Sequence, residues 1–239
     1  MSETDTSGAS RCFGAWAALT AAFFAVAYDI PQVLQVAGVL RDPLDRVLIF
    51  VPSLALAPSF VLAMAGAHAA TPAPLRAWSL GALALAILYA ADVSMIYVVQ
   101  LGAVIPGELG GHPERAAFAA CCGRGMPATA IDLLGYTYMS IATALLAPAF
   151  PGAGLRRALR WALLANGALA PVLIGQLAWP GLIWLGAVWM ATFPIAMILL
   201  AMGLSGQGGI ASSQNREYRK VSSWRGAGTR GTGVRKDPR

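Results

Sequence analysis

AWSLGALALAILYAADVSMIYVVQLG, residues Ala77 to Gly102, decides how this chain folds. These 26 residues contain one charged side chain, Asp92, and no proline. A helix rising ~1.5 Å per residue needs about 20 mainly apolar residues to cross ~30 Å of hydrocarbon. The stretch meets that requirement without a break, so it reads as a membrane span. Its lone carboxylate raises the functional question together with the structural one.

Outward from this segment, five further apolar stretches run Cys12 to Leu40, Pro43 to His68, Thr129 to Phe150, Leu159 to Trp179 and Gly181 to Gly203. The expected fold is all-α, a polytopic transmembrane helical bundle of six spans. Composition agrees: 57% of the 239 residues are hydrophobic and 12% are charged, against about 25% charged in an average soluble domain. The mean hydropathy is +0.63.

Basic residues set the orientation, because Lys and Arg are retained on the cytoplasmic side during insertion. Six spans place both termini on one side. With the termini cytoplasmic, that side holds Arg11, Arg76, Arg156, Arg157, Arg160 and eight basic residues from Arg216 onward, while Arg41, Arg46, Arg115 and Arg124 lie outside. The expected location is the bacterial inner membrane, with residues 1–11 as a short cytoplasmic start. A rival reading takes Ala25-Val26-Ala27 as a signal-peptidase site. The first ten residues carry Glu3 and Asp5 and no basic residue, and the apolar run continues past Ala27, which favours an uncleaved first span.

The segment 205–239 is rich in Gly, Ser and Arg and carries eight basic and two acidic residues. It reads as a disordered cytoplasmic tail. Its positive charge suits a solvated segment obeying the orientation rule, or adhesion to anionic lipid headgroups. Nucleic acid is not an expected partner, since only Tyr218 and Trp224 could stack and no folded module accompanies them.

Three aspartates fall inside spans: Asp29, Asp92 and Asp132. A carboxylate at a span centre costs about 2.5–3.5 kcal/mol on insertion scales, so such groups face the bundle interior or a wet cavity. Helical spacing puts Tyr89 and Gln100 on the face of Asp92, Gln32 on that of Asp29, and Gly135, Tyr136, Met139, Ser140 and Thr143 on that of Asp132. The candidate ligand- or proton-binding set is therefore Asp29, Gln32, Tyr89, Asp92, Gln100, Asp132 and Tyr136. The plainer reading of Asp132 is a first-turn residue complementing the helix dipole. Asp92 reads as a functional group or a hydrogen-bonded carboxyl. Asp29 is open to pairing with Arg41 or Arg46, and Pro31 beside it should kink or break the first span. Asp42 and Asp45 read as the cap of the second span.

The connection from Ala103 to Ala128 should hold a short helix, with Pro113 at its first position, Glu114 in the first turn and Gly123 after its end. It could cover the bundle mouth or simply join two spans. His112 with Glu108 and Glu114 makes a weak cation site. Cys121 and Cys122 are adjacent, so they read as two small buried residues or, alternatively, as a vicinal disulfide. The sequence has no CxxC, G-x-S-x-G, H-E-x-x-H or Walker loop. It implies no catalytic residues, metal or cofactor.

The strings YAADVSMIYVVQLGAVIP (Tyr89 to Pro106) and DLLGYTYMSIATALLAPAF (Asp132 to Phe150) resemble the third and fourth spans of multi-pass bacterial membrane proteins without an established activity. The resemblance covers about a quarter of the chain. It implies the spans and carries over no site residue. Three function classes follow: a small-solute or proton-linked carrier or ligand sensor using the aspartates; a structural or accessory subunit docking on a membrane partner through Gly135, Ser140 and Thr143; and a membrane enzyme at the outer face.

Overall fold

The computed structural model describes residues 3–112, 114, 117–123 and 125–206, and side chains from Gly8 onward. Six helices are long and apolar enough to cross a membrane: α1 (Gly8–Val36), α2 (Leu44–Ala70), α3 (Ala73–Leu109), α4 (Pro127–Ala149), α5 (Leu155–Gly175) and α6 (Pro180–Gly206). Among the described residues there is no strand. The α1–α2, α3–α4 and α5–α6 connections share the distal end of the bundle, and the described amino-terminal residues and the end of α6 lie at the opposite, terminal end. The basic tail lies outside the described residues from Gln207 onward, while Ser205 and Gly206 close α6.

Small residues let the helices approach closely, as apolar surroundings demand when packing rather than water expulsion drives association. The inward face of α1 is alanine: Ala15, Ala18, Ala21, Ala22 and Ala25 are buried, while Trp16, Phe23 and Ile30 point outward. α1 meets α2 at Gly14 and Gly66, where a Cβ on Gly14 would lie 2.8 Å from the Gly66 Cα. A second close seam joins α4 and α5, where a Cβ on Gly167 would lie 3.1 Å from both the Ala144 Cα and the Ser140 carbonyl oxygen.

The break that Pro31 suggested is absent, whereas Pro171 does sit in the first turn of a segment that follows a break. Pro31 lies inside a helix that continues to Val36, because one missing donor and one displaced carbonyl disturb a single turn and leave the rest of the ladder intact. The interruptions sit in other spans. α3 widens into a π turn over Gln100–Val104 and continues to Leu109, beyond its expected end at Gly102. α5 is broken between Leu155–Gly167 and Ala170–Gly175. α6 breaks at Ala187–Val188 and restarts at Trp189. Single π turns within α-helices occur frequently at functional sites.

Two further expectations change at the distal end. α2 is preceded by Pro43 with no side-chain cap. Asp42 instead forms an ion pair with Arg46, which also pairs with Glu108 of α3. Asp45 accepts from Gln35 Nε2 (2.8 Å), and Gln32 Nε2 donates to Gln35 Oε1 (3.1 Å). Arg46 therefore ties α2 to α3 rather than neutralising Asp29. Of the short helix expected near residue 113, Pro113 and Arg115 lie outside the described residues, and a 3-10 turn covers Ala117–Ala119.

Candidate functional site

The site grows from α4. Because this helix begins at Pro127, Asp132 lies in its second turn, beyond the amide donors that the helix leaves free at its start. It therefore does not serve as a first-turn residue. Its side chain enters the bundle, within electrostatic reach of the hydroxyls of Tyr28, Tyr89, Tyr97 and Tyr136. Those phenols come from α1, α3 and α4, so three helices converge on one carboxylate.

Aromatic packing fixes the cluster. Tyr136 meets Tyr89 edge-on at 5.6 Å between ring centroids and Trp189 of α6 at 5.1 Å. Tyr28 meets the other side of the interaction network at Trp189, 5.9 Å away, and Trp189 stacks on Phe193 at 5.0 Å. Phe60 of α2 closes the ring of contacts against Tyr89 (5.8 Å) and Phe193 (5.5 Å). Edge-to-face pairs of this kind add about 0.5–1.5 kcal/mol each beyond the area they bury. The cluster is thus a rigid wall drawn from five spans.

Within this wall, three polar atoms are shielded from solvent and have no hydrogen-bond partner: Tyr89 Oη, Asp132 Oδ1 and Trp189 Nε1. Buried polar atoms are almost always satisfied, so a group of orphans in one cluster marks a place where a proton, water or ligand completes the arrangement. Among the described residues, no ion pair reaches the carboxylate. Arg46, the basic residue of the described spans at the same end of the bundle, is engaged by Asp42 and Glu108.

The other two aspartates are placed differently. Asp29 is the residue next to Tyr28 on α1. Asp92 packs on the α3–α4 seam, where a Cβ on Gly135 would lie 3.3 Å from the Asp92 Cβ, and it is not set against the cluster's hydroxyls. Each is half-buried, with Asp29 Oδ1 and Asp92 Oδ2 unpartnered. Tyr89 and Tyr136 join the Asp132 cluster. Gln32 belongs to the Gln35–Asp45 chain at the α1–α2 end.

Gln100 acts as a clamp for the distal connection. From the π turn of α3 its Nε2 donates to the Ala119 carbonyl (2.7 Å), and its Oε1 accepts from the Cys121 amide (3.1 Å). Thr129 of α4 holds the next residue: its Oγ1 accepts from the Cys122 amide and donates to the Gly123 carbonyl, both at 2.8 Å. Cys121 and Cys122 form a vicinal disulfide, with Cys121 half-buried and Cys122 exposed. The Cys121 and Cys122 sulfurs and an Asp132 carboxylate oxygen all lie within 4.8 Å of one another. His112 pairs with Glu114 at 3.6 Å, whereas Glu108 is engaged by Arg46, so the acidic groups around His112 are divided.

Sequence reasoning passed over Tyr28, Tyr97, Trp189 and Asn166. A signal existed for two of them: Tyr89, Val93, Tyr97 and Gln100 recur at helical spacing, as do Trp189 and Phe193. Asn166 anchors a buried network, donating from Nδ2 to Thr143 Oγ1 (3.1 Å) and accepting from Thr192 Oγ1 (3.0 Å). Gly135, Ser140 and Thr143, suggested above as a docking face, are buried within the chain's own seams. No protein-family model, curated protein or solved structure matches this chain.

Proposed function

We propose that the chain is a multi-pass protein of the bacterial inner membrane with cytoplasmic termini. In this reading it is a small-solute or proton-linked carrier, or a ligand sensor, whose working carboxylate is Asp132. The observation that supports this best is the group of unpartnered atoms on Tyr89, Asp132 and Trp189, drawn from α3, α4 and α6, around a carboxylate that no ion pair reaches among the described residues. A lone carboxylate in a low-dielectric interior must be met by a proton or a cation. A site assembled from separate helices can also respond to occupancy by shifting them, which is what transport and sensing share.

In this reading the distal end faces outward and the basic tail lies in the cytoplasm, as the asymmetry of basic residues favours. There the tail would gain about 1 kcal/mol per Lys or Arg close to anionic headgroups, an attraction weakened by salt. The test of function is proton movement in sealed proteoliposomes holding a pH-sensitive dye. Wild-type protein should dissipate an imposed pH gradient in the presence of a transported solute, and Asp132→Asn should not. Equal dissipation by both, with equal amounts inserted, would contradict the reading.

A further inference from the structure

We infer that Cys121, Cys122 and Asp132 form a redox-gated site for a soft divalent cation at the distal mouth of the bundle. The inference shares Asp132 with the function proposed above and does not otherwise rest on that reading. The two sulfurs and one carboxylate oxygen lie mutually within 4.8 Å. The closeness of the two sulfurs is that of their bond; once reduced they would have to move apart to sit about 2.3 Å from one ion, with the carboxylate oxygen about 2.0–2.2 Å from it.

The donors are held by the spans. Gln100 fixes the Cys121 amide from α3, and Thr129 fixes the Cys122 amide from the first turn of the helix that carries Asp132. Asp132 Oδ1 is buried and has no partner. Cys122 is exposed, which gives reductant and metal a way in. Two thiolates and one carboxylate suit zinc or cadmium and disfavour magnesium or calcium, which take oxygen ligands. Three protein ligands would leave a fourth position for water or an exchangeable group.

With the disulfide formed, both sulfurs are bonded to each other and the thiolate donors are absent. Two molecules of a monothiol reductant supply two electrons and two protons: the Cys121–Cys122 bond breaks, both cysteines become thiols, and the reductant leaves as its own disulfide. Binding of the divalent ion then displaces the two thiol protons into water. Reduction therefore creates the metal site, and oxidation removes it.

The test uses full-length protein in detergent, in a Cys12→Ser background so that the exposed free thiol at the other end does not contribute. Cadmium is added before and after reduction, and the thiolate-to-cadmium charge-transfer band is followed. The expected result is a band that saturates at one cadmium per chain only after reduction, and that is lost in Cys121→Ser and in Cys122→Ser. Asp132→Asn should keep the band but raise the cadmium Kd about 10-fold or more. Monodisperse elution and an unchanged helical circular dichroism spectrum qualify each variant. No band after reduction, a full band before it, or an unchanged Kd in Asp132→Asn would each overturn the inference. Cadmium binding without any proton movement in vesicles would sink the carrier reading alone. Proton movement that persists in a reduced protein showing no cadmium band would sink the metal site alone.

Discussion

The hydroxyls of Tyr97 and Tyr136 lie 3.0 Å apart across the α3–α4 seam, and either can donate to the other. Tyr136 is four residues after Asp132 on α4, so the pair stands next to the carboxylate. A hydrogen bond that can reverse its direction beside an acidic group is suited to relaying a change of charge. Tyr136→Phe removes the hydroxyl and keeps the ring against Trp189 and Tyr89. We expect it to slow proton-linked activity about 10-fold, while the lost bond costs about 1 kcal/mol of stability. Activity in vesicles and thermal melting in detergent separate the two effects.

The α4–α5 seam depends on Gly167. Any larger side chain there meets backbone atoms of Ala144 and Ser140 at 3.1 Å, which cannot swing aside. Gly167→Leu should destabilise the bundle by about 1–3 kcal/mol through overpacking. A lower midpoint in thermal or denaturant unfolding in micelles is the check.

Asn166 connects α4, α5 and α6 through Thr143 and Thr192. Asn166→Ala removes one interhelical bond from each threonine and leaves Thr143 its bond to the Ser140 carbonyl (2.7 Å) and Thr192 its longer one to the Trp189 carbonyl (3.5 Å), at a cost of about 1–2 kcal/mol. The double variant Asn166→Ala with Thr192→Val should lose less than the sum of the two single changes. Additive losses would show that the two residues act independently.

Gln100 holds the distal connection with two hydrogen bonds. Gln100→Ala should free it, raising its local opening about 10-fold for roughly 1.4 kcal/mol of lost interaction. Faster reduction of the Cys121–Cys122 bond and faster proteolysis between α3 and α4 are the readouts. Hydrogen exchange in the α1–α2 seam should not change.

All six long apolar helices were legible in the sequence, because apolar runs such as Ala77–Gly102 need only length and composition to be read. Asp132 was legible as a residue but not in its role. Starting α4 at Thr129 placed it in the first turn, and the actual start at Pro127 moves it past the free amides and into the interior. Gln100 was read as a companion of Asp92 by helical spacing. It opens the π turn, and its amide is taken up by residues 119 and 121 instead. Trp189 was missed because its importance comes from Tyr28 and Tyr136, far away in sequence. Single-helix periodicity says which residues share a face and is silent on which faces meet.

The most direct measurement is labelling of intact protein by a hydrophobic carbodiimide, read by mass spectrometry at Asp29, Asp92 and Asp132. The reagent attacks protonated carboxyls within apolar surroundings. Asp132, whose buried Oδ1 has no partner, should be modified, increasingly as the pH falls, and soluble cations that occupy the site should protect it. Modification of Asp29 and Asp92 with Asp132 untouched at every pH would contradict the role assigned to it.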